Sequence, residues 1–141
     1  MIFAAGLGTR LRPLTDNMPK ALVPVAGKTM LERVILKLKD AGFHDITINI
    51  HHFGNQIIDF LRANENFGVN IHISDERGEL LDTGGGIKKA RPLLESNEPF
   101  LIHNADILTD LDLNAFYHHH LESDADATLL TNHRKTSRYL L

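Results

Sequence analysis

The sequence predicts an α/β protein in which helices cover both faces of a mostly parallel sheet. Short apolar runs alternate along the chain with segments of helical periodicity, and the intervals are long enough for crossover connections. The 141 residues, 43% hydrophobic and 23% charged, have the composition of one folded domain. Because the chain has no cysteine, the sequence excludes a disulfide framework, a thiolate zinc site and a cysteine nucleophile.

Each element follows from periodicity and from capping signals. The first strand is predicted at residues 2–5, and a loop rich in Gly and Pro continues from it to about residue 27. Thr29 and Glu32 form a capping box, which predicts a helix that begins at Met30 and stops before Gly42. The later predicted elements are strands at 45–50, 69–73, 100–104 and 127–131, and helices at 55–63, shortly after residue 84, and at 113–121.

Charge is distributed unevenly along the chain. Residues 1–40 hold seven basic and three acidic residues, a net +4, so the remaining residues carry −7 of the total of −3. A pI near 6.3 argues against a nucleic-acid binder, whereas a local basic segment suits a small anionic ligand. No apolar run approaches the roughly 20 residues that span a membrane. The first residues also lack the basic region of a signal peptide, so a cytoplasmic protein is predicted.

A glycine-containing segment follows the first strand, at the edge where parallel α/β sheets bind ligands. Gly6 and Gly8 allow a tight turn whose N–H groups can approach a phosphate, and Arg10 and Arg12 supply charge for phosphate oxygens. The segment is neither a Walker A loop nor a dinucleotide fingerprint, since Leu11 stands where the latter requires its third glycine. Taken alone, the segment is as compatible with a tight turn that carries solvated arginines as with a phosphate-binding loop.

The longer pattern resembles the signature of the sugar nucleotidyltransferases, or nucleoside-diphosphate-sugar pyrophosphorylases. It reads G-L-G-T-R-L-R-P-L-T from Gly6 and P-K-A-L-V-P-V from Pro19. The resemblance implies a Rossmann-like three-layer sandwich of the nucleotide-diphospho-sugar transferase type. It also implies transfer of a nucleoside monophosphate from an NTP to a sugar 1-phosphate, with Arg10 and Lys20 as catalytic residues acting on phosphates. The nucleotide-wrapping residues that it implies are Ala5, Gly6, Leu7, Gly8 and Thr9.

An acidic residue ends the strand predicted at 100–104, again at the ligand edge of the sheet. Asp106 is a carboxylate suited to Mg²⁺, which typically combines one or two carboxylates with phosphate oxygens and water. The Asn104-Ala105-Asp106 step resembles the family's metal segment, and this resemblance implies that Asp106 binds Mg²⁺ and Asn104 lies near the sugar. Asn132, after the last predicted strand, is a further candidate for contact with the sugar phosphate.

A run of glycines resembles the family segment that contacts the nucleobase at the start of a helix. Thr83, Gly84 and Gly85 are the nucleotide-binding residues implied, since glycine lets a planar ring approach the backbone closely. The run is similar to those of the N-acetylmuramate-1-phosphate uridylyltransferases and mannose-1-phosphate guanylyltransferases. The pattern does not distinguish uracil from guanine, because backbone groups would contact the base.

The resemblance covers nearly the whole chain, but family members continue beyond it. Residues 1–141 are therefore predicted to be the nucleotide-binding half of a single nucleotidyltransferase domain, with the C-terminal part and its second metal ligand missing. An incomplete sheet would expose a strand edge and an apolar face, which favours self-association into a homo-oligomer. The predicted partners are an NTP and a sugar 1-phosphate, with neither nucleic acid nor membrane.

Two other hypotheses for the function stay open. One is a non-catalytic relative that binds a nucleotide or nucleotide sugar, although Arg10, Lys20 and Asp106 are all intact. The other is a glycosyltransferase of similar fold. Such an enzyme would be expected to carry a D-x-D pair, and Asn104-Ala105-Asp106 offers a single carboxylate.

Overall fold

The computed structural model describes residues 1–131, in which the chain builds a parallel sheet and covers it with helices. The strands are β1 (Ile2–Phe3), β2 (Pro24–Val25), β3 (Lys28–Thr29), β4 (Asp45–Ile50), β5 (Asn70–Asp75) and β6 (His103–Asn104). The helices are α1 (Met30–Asp40), α2 (Gly54–Ala63), α3 (Asp82–Leu94) and α4 (Leu113–Leu121). Within residues 1–131, none of these helices has the length and apolar character needed to cross a membrane.

The main sheet has four parallel strands in the order β5-β4-β1-β6, and β2 pairs with β3 as a separate antiparallel ribbon. Ile48 pairs with Ile2 in the sheet register, and both belong to an apolar core shared with α1 and α2. Asn49 pairs with Phe3 and faces α3, where a Cβ added to Gly86 would lie 3.2 Å from Asn49 Nδ2. Helices therefore cover both faces, which confirms the predicted α/β sandwich with a mostly parallel sheet.

Local signals set both ends of α1. Thr29 Oγ1 accepts the amide N–H of the residue three positions later at 3.1 Å, which is an N-cap bond. At the other end Gly42 has φ +87°, and the amides of Gly42 and Phe43 donate to the carbonyls of Lys39 and Leu38, each at 2.9 Å. These two bonds form a Schellman motif, in which glycine is favoured because the left-handed conformation is strained for other residues.

Several predicted elements differ from those observed. The strand predicted at 100–104 is reduced to β6, and the strand predicted at 127–131 is absent from that segment, where Leu129 and Leu130 are 65% and 60% exposed. An apolar run becomes a strand only where a neighbouring backbone pairs with it. The helix predicted shortly after residue 84 begins at Asp82 and includes all three glycines.

Candidate active site

A cleft of about 400 Å³ lies at the carboxyl edge of the sheet, where the segments after β1 and β6 meet the start of α3. This is the edge where open α/β sheets bind ligands, because the connections diverge there and leave a crevice. The predicted site residues that line it are Ala5, Gly6, Leu7, Gly8, Thr9, Arg10, Lys20, Thr83, Asn104 and Asp106. The fold thus brings together residues about a hundred positions apart in the sequence.

Two predicted site residues lie outside the cleft lining, and a third is not described by the structure. Gly84 and Gly85 belong to α3 beside Thr83, but they are not among the residues that line the cleft. A Cβ on Gly85 would lie 2.9 Å from Leu81 Cβ, so this glycine packs against the start of its own helix. Asn132 lies outside the described residues.

The loop after β1 is shaped by close contact with the Lys20 segment. Gly8 has φ +67°, and a Cβ there would lie 3.0 Å from both Lys20 Cβ and Thr15 Cγ2. The Thr15 hydroxyl donates to Gly8 O at 2.8 Å, which holds this turn in place. Gly6, in contrast, has no atom within 4 Å of its Cβ position, so its backbone faces open space. The turn is tight at Gly8 and accessible at Gly6.

Two charged side chains face each other across the cleft. Lys20 begins a short 3-10 turn (Lys20–Leu22) after Pro19, and its ammonium forms a salt bridge with the carboxylate of Asp106, just beyond β6. The Lys20 and Asp106 side chains are 20% and 36% exposed, so both remain reachable by a ligand. Arg10 is exposed at the same opening. The arrangement places two cations, Arg10 and Lys20, near the carboxylate of Asp106 around a space large enough for phosphate groups. Two further acidic residues, Asp82 and the buried Glu76, also line this space.

The donor set at this edge suits a metal ion that arrives together with phosphates. Residues 1–131 contain no group of three or more His, Cys, Asp or Glu side chains arranged to hold a metal ion. Asp106 by itself still fits Mg²⁺, which needs only one or two carboxylates when phosphate oxygens and waters complete its coordination.

A buried polar pair that lines the floor of the cleft was not anticipated from the sequence. Asn49 and Glu76 are 1% and 0% exposed, and Asn49 Nδ2 donates to Glu76 Oε1 at 2.8 Å. A signal for Asn49 does exist, because it is an amide inside the otherwise apolar end of β4. Glu76, directly after β5, occupies a strand end at the ligand edge, as Asp106 does. Neither position belongs to the motifs that the sequence analysis used.

Similarity to known proteins extends over nearly the whole chain. Residues 1–139 match the nucleotidyl transferase family. The chain is 49% identical over 117 residues to N-acetylmuramate alpha-1-phosphate uridylyltransferase of Neisseria meningitidis serogroup B, which covers 83% of this chain and 50% of that protein. It is 38% identical over 144 residues to mannose-1-phosphate guanyltransferase of Gibberella zeae, covering 99% of this chain and 39% of that protein.

Solved structures show the same fold. HddC from Yersinia pseudotuberculosis complexed with GMP-PN superimposes with a TM-score of 0.76 at 33% identity, over 87% of this chain and 54% of that one. UDP-glucose pyrophosphorylase complexed with UDP-glucose gives a TM-score of 0.69 at 21% identity, over 85% of this chain and 52% of that one, and is similar in fold alone. The chain spans half or less of the length of the curated relatives named above.

Proposed function

Since the chain belongs to the nucleotidyl transferase family, we propose that it is the nucleotide-binding half of a sugar-1-phosphate nucleotidyltransferase domain. In the reaction, a phosphate oxygen of the sugar 1-phosphate attacks the α-phosphorus of an NTP. The bond from that phosphorus to the β-phosphate oxygen breaks, and pyrophosphate leaves as the NDP-sugar forms. The observation that carries the proposal is that the glycine loop, Lys20 and Asp106 line one cleft at the ligand edge of the sheet.

The proposed roles follow from the charge that such a transfer must stabilise. Phosphoryl transfer needs little covalent participation by the protein, so positioning and neutralisation of charge supply most of the catalysis. The open backbone at Gly6 receives the triphosphate, and Arg10 neutralises the departing pyrophosphate. Lys20 acts near the α-phosphate, and its salt bridge with Asp106 has to break before it can do so. Asn104 is assigned to the sugar.

Asp106 is the residue proposed to hold Mg²⁺ in this half of the domain. When bound, Mg²⁺ supplies positive charge that offsets the negative charge of the triphosphate. Lys20 and Asp106 form a salt bridge, so the two groups compensate each other's charge while no phosphate is present. The arrival of an NTP provides Lys20 with an alternative anionic partner and leaves the carboxylate available for the metal ion.

The relatives support a choice of base. Two of them, 49% and 46% identical, are named N-acetylmuramate alpha-1-phosphate uridylyltransferase, so we favour UTP and N-acetylmuramate 1-phosphate as substrates. The complex of HddC with GMP-PN makes a guanine nucleotide the second candidate.

Because NTPs and sugar phosphates are cytoplasmic metabolites, the reaction is assigned to the cytoplasm. Exposed Phe100, Ile107 and Leu108 near β6 support self-association through that surface.

A thermal-unfolding panel tests the proposal. The chain is melted with UTP, GTP, ATP, CTP or dTTP, each with and without Mg²⁺. At about 100 times its Kd, a nucleotide adds roughly 2.7 kcal/mol of stability. A gain of that size raises Tm by several degrees. We expect a Mg²⁺-dependent shift that is largest with UTP. A cooperative melt that no nucleotide shifts would contradict the proposal.

A paired substitution assigns the binding to the cleft. Lys20→Met should weaken binding of the preferred nucleotide by at least about tenfold, because it removes a charge-assisted contact to phosphate. Lys88→Met is the matched control, since Lys88 is an exposed lysine on α3 that does not line the cleft. Equal affinities of the two variants for the nucleotide would place the site elsewhere.

A further inference from the structure

We propose that Asn49 and Glu76 are positioning residues. Through a buried series of hydrogen bonds, they hold the phosphate side of the cleft in a fixed position relative to its base side. The phosphate side is the loop that begins at Ala4, and the base side is the start of α3, reached through Leu81. Both residues line the floor of the cleft, but they are 1% and 0% exposed, so their proposed effect on the nucleotide is exerted through the loop and α3. The inference rests on the nucleotide site proposed above, and it assigns the geometry of that site to two residues outside its motifs.

The chain of contacts is continuous. Ala4 N donates to Asn49 Oδ1 at 2.7 Å, and Asn49 Nδ2 donates to Glu76 Oε1 at 2.8 Å. The other carboxylate oxygen, Glu76 Oε2, accepts the amide of Leu81 at 3.4 Å, the longest of the three bonds. Each oxygen of Glu76 therefore holds a different partner, one on the β4 side and one at the start of α3.

The first contact replaces a bond that a strand would make. β1 ends at Phe3, and the next amide, Ala4 N, finds its partner in the side chain of Asn49. The backbone can therefore leave the sheet at this point while its buried amide stays satisfied, which a buried N–H requires. The direction in which the glycine loop departs is thus set by the position of the Asn49 amide.

Glu76 is held from several sides. It is fully buried, and its backbone N–H donates to Ile50 O at 2.8 Å. On the α3 side, a Cβ on Gly86 would lie 2.9 Å from Glu76 Oε1, so the helix packs directly against the carboxylate. A carboxyl group in such a place is costly unless hydrogen bonds compensate it, and each lost bond leaves a buried polar group unpaired. A displacement of Glu76 is therefore transmitted to α3.

Exchanging the two chemical groups tests the coupling. Asn49→Asp sets a second carboxyl against Glu76, and Glu76→Gln leaves one acceptor oxygen for two donors, Asn49 Nδ2 and Leu81 N. In the double variant Asn49→Asp/Glu76→Gln the amide and the carboxylate exchange positions, and each of these hydrogen-bonding partners is again satisfied. The carboxylate introduced at position 49 accepts from Ala4 N and from the side-chain amide introduced at position 76, and the oxygen of that amide accepts from Leu81 N.

Ser74→Ala is the matched control for these variants. Ser74 is buried and pairs with Asn49 in the sheet, and its hydroxyl has no hydrogen-bond partner among the described residues. The substitution therefore changes a buried polar side chain next to the pair without removing a hydrogen bond from the chain of contacts.

Two measurements are made on all four variants at a temperature where each is folded. The first is hydrogen exchange at the Ala4 and Leu81 amides. The second is the Kd for UTP with Mg²⁺, with GTP in parallel. We expect each single variant to speed exchange at Leu81 and to raise the Kd by roughly tenfold, the size typical of one lost buried hydrogen bond. The double variant should return both the exchange rate at Leu81 and the Kd to within about threefold of wild type. Ser74→Ala should leave both unchanged.

Each other outcome has a defined meaning. Single variants that exchange faster at Leu81 but bind UTP like wild type would reduce the pair to a structural role and overturn the inference. A double variant no better than the single ones would show that the two residues are not coupled, and would overturn it too. If wild type binds neither UTP nor GTP, the proposed function fails. The exchange data at Ala4 and Leu81 then still decide whether the pair joins the loop to α3.

Discussion

At the scale of single residues, the two glycines of the loop after β1 meet different constraints. Gly8 combines a left-handed backbone, φ +67°, with crowding by Lys20 and Thr15, whereas Gly6 has neither. The pattern G-x-G treats the two positions alike. Only the packing of the loop shows that one glycine is required by conformation and the other leaves the backbone open.

Substitution by alanine should separate these constraints. Gly8→Ala should lower the free energy of unfolding by about 2 kcal/mol, from backbone strain and from overpacking. Gly6→Ala should change it by no more than about 0.5 kcal/mol. Gly27→Ala is the control for strain alone, because Gly27 has φ +79° with nothing within 4 Å of its Cβ position. Urea unfolding measures all three, and a Gly8 variant no less stable than the Gly27 variant would contradict the crowding.

A second residue-scale feature is the fork of Arg77 on Asp75 at the end of β5. Arg77 Nε lies 2.9 Å from both carboxylate oxygens of Asp75, and these hydrogen bonds lower the pKa of Asp75 from 3.8 to about 2. A lowered carboxyl pKa in the folded state contributes stability above pH 3.8, and this contribution is lost as the pH falls towards 2. The pair is about half exposed, so its effect on stability is small.

Arg77→Gln should therefore raise the pKa of Asp75 towards 3.8, as measured by NMR titration of the carboxyl group. At pH 7 its effect on stability should be small, because the pair is solvent-screened, and the difference from wild type should shrink as the pH falls below 4. Arg91→Gln is the control, because Arg91 forms a comparable exposed pair with Glu95 at 2.9 Å. An Asp75 titration that is unchanged in the Arg77 variant would contradict the assignment of the shift.

At the scale of elements, α3 shows how one helix serves packing and the site together. Its glycines are consecutive, yet Gly84 has open space around its Cβ position, whereas Gly86 packs against Glu76, Asn49 and Phe3. Close approach of the helix to the sheet therefore depends on Gly86. The same approach places Asp82 and Thr83 at the mouth of the cleft.

Alanine at these two positions should have opposite effects on stability. Gly84→Ala should stabilise the protein by up to about 1 kcal/mol, because alanine has the higher helix propensity. Gly86→Ala should destabilise it by about 1–3 kcal/mol, since the added methyl group overlaps Glu76 Oε1 at 2.9 Å. Thermal and urea unfolding compare them. Stabilisation by Gly86→Ala would mean that the helix can move away from the sheet without cost.

At the scale of the whole molecule, strand order decides which segments share the site. β1 lies between β4 and β6, so the loop that follows it meets the end of β6, and the salt bridge between Lys20 and Asp106 joins residues 86 positions apart. Beside β6, Ile107 and Leu108 are 46% and 58% exposed. An apolar surface of this kind is a common site of association, either with further chain or with a second copy.

The predicted ends of α1 were confirmed because they depend on local chemistry. Thr29 and Gly42 bound α1 because capping bonds form within a few residues of the helix ends. The segment 127–131 was predicted wrongly, since an apolar run contains no information about whether a neighbouring strand pairs with it. The strand predicted at 45–50 is confirmed as β4, but the sequence did not show that Asn49 is buried. In β4 every residue from Ile46 to Ile50 is buried, because helices cover both faces.

The sequence by itself determined the α/β class, the family and the glycine, lysine and aspartate segments of the cleft. These depend on periodicity, on backbone conformations special to glycine, and on a long pattern of residues in fixed order. Only the tertiary structure decided that Lys20 reaches Asp106, and that Asn49 and Glu76 connect the loop to α3. Contacts between groups far apart in the chain depend on strand order and packing, and neither is encoded in any single segment.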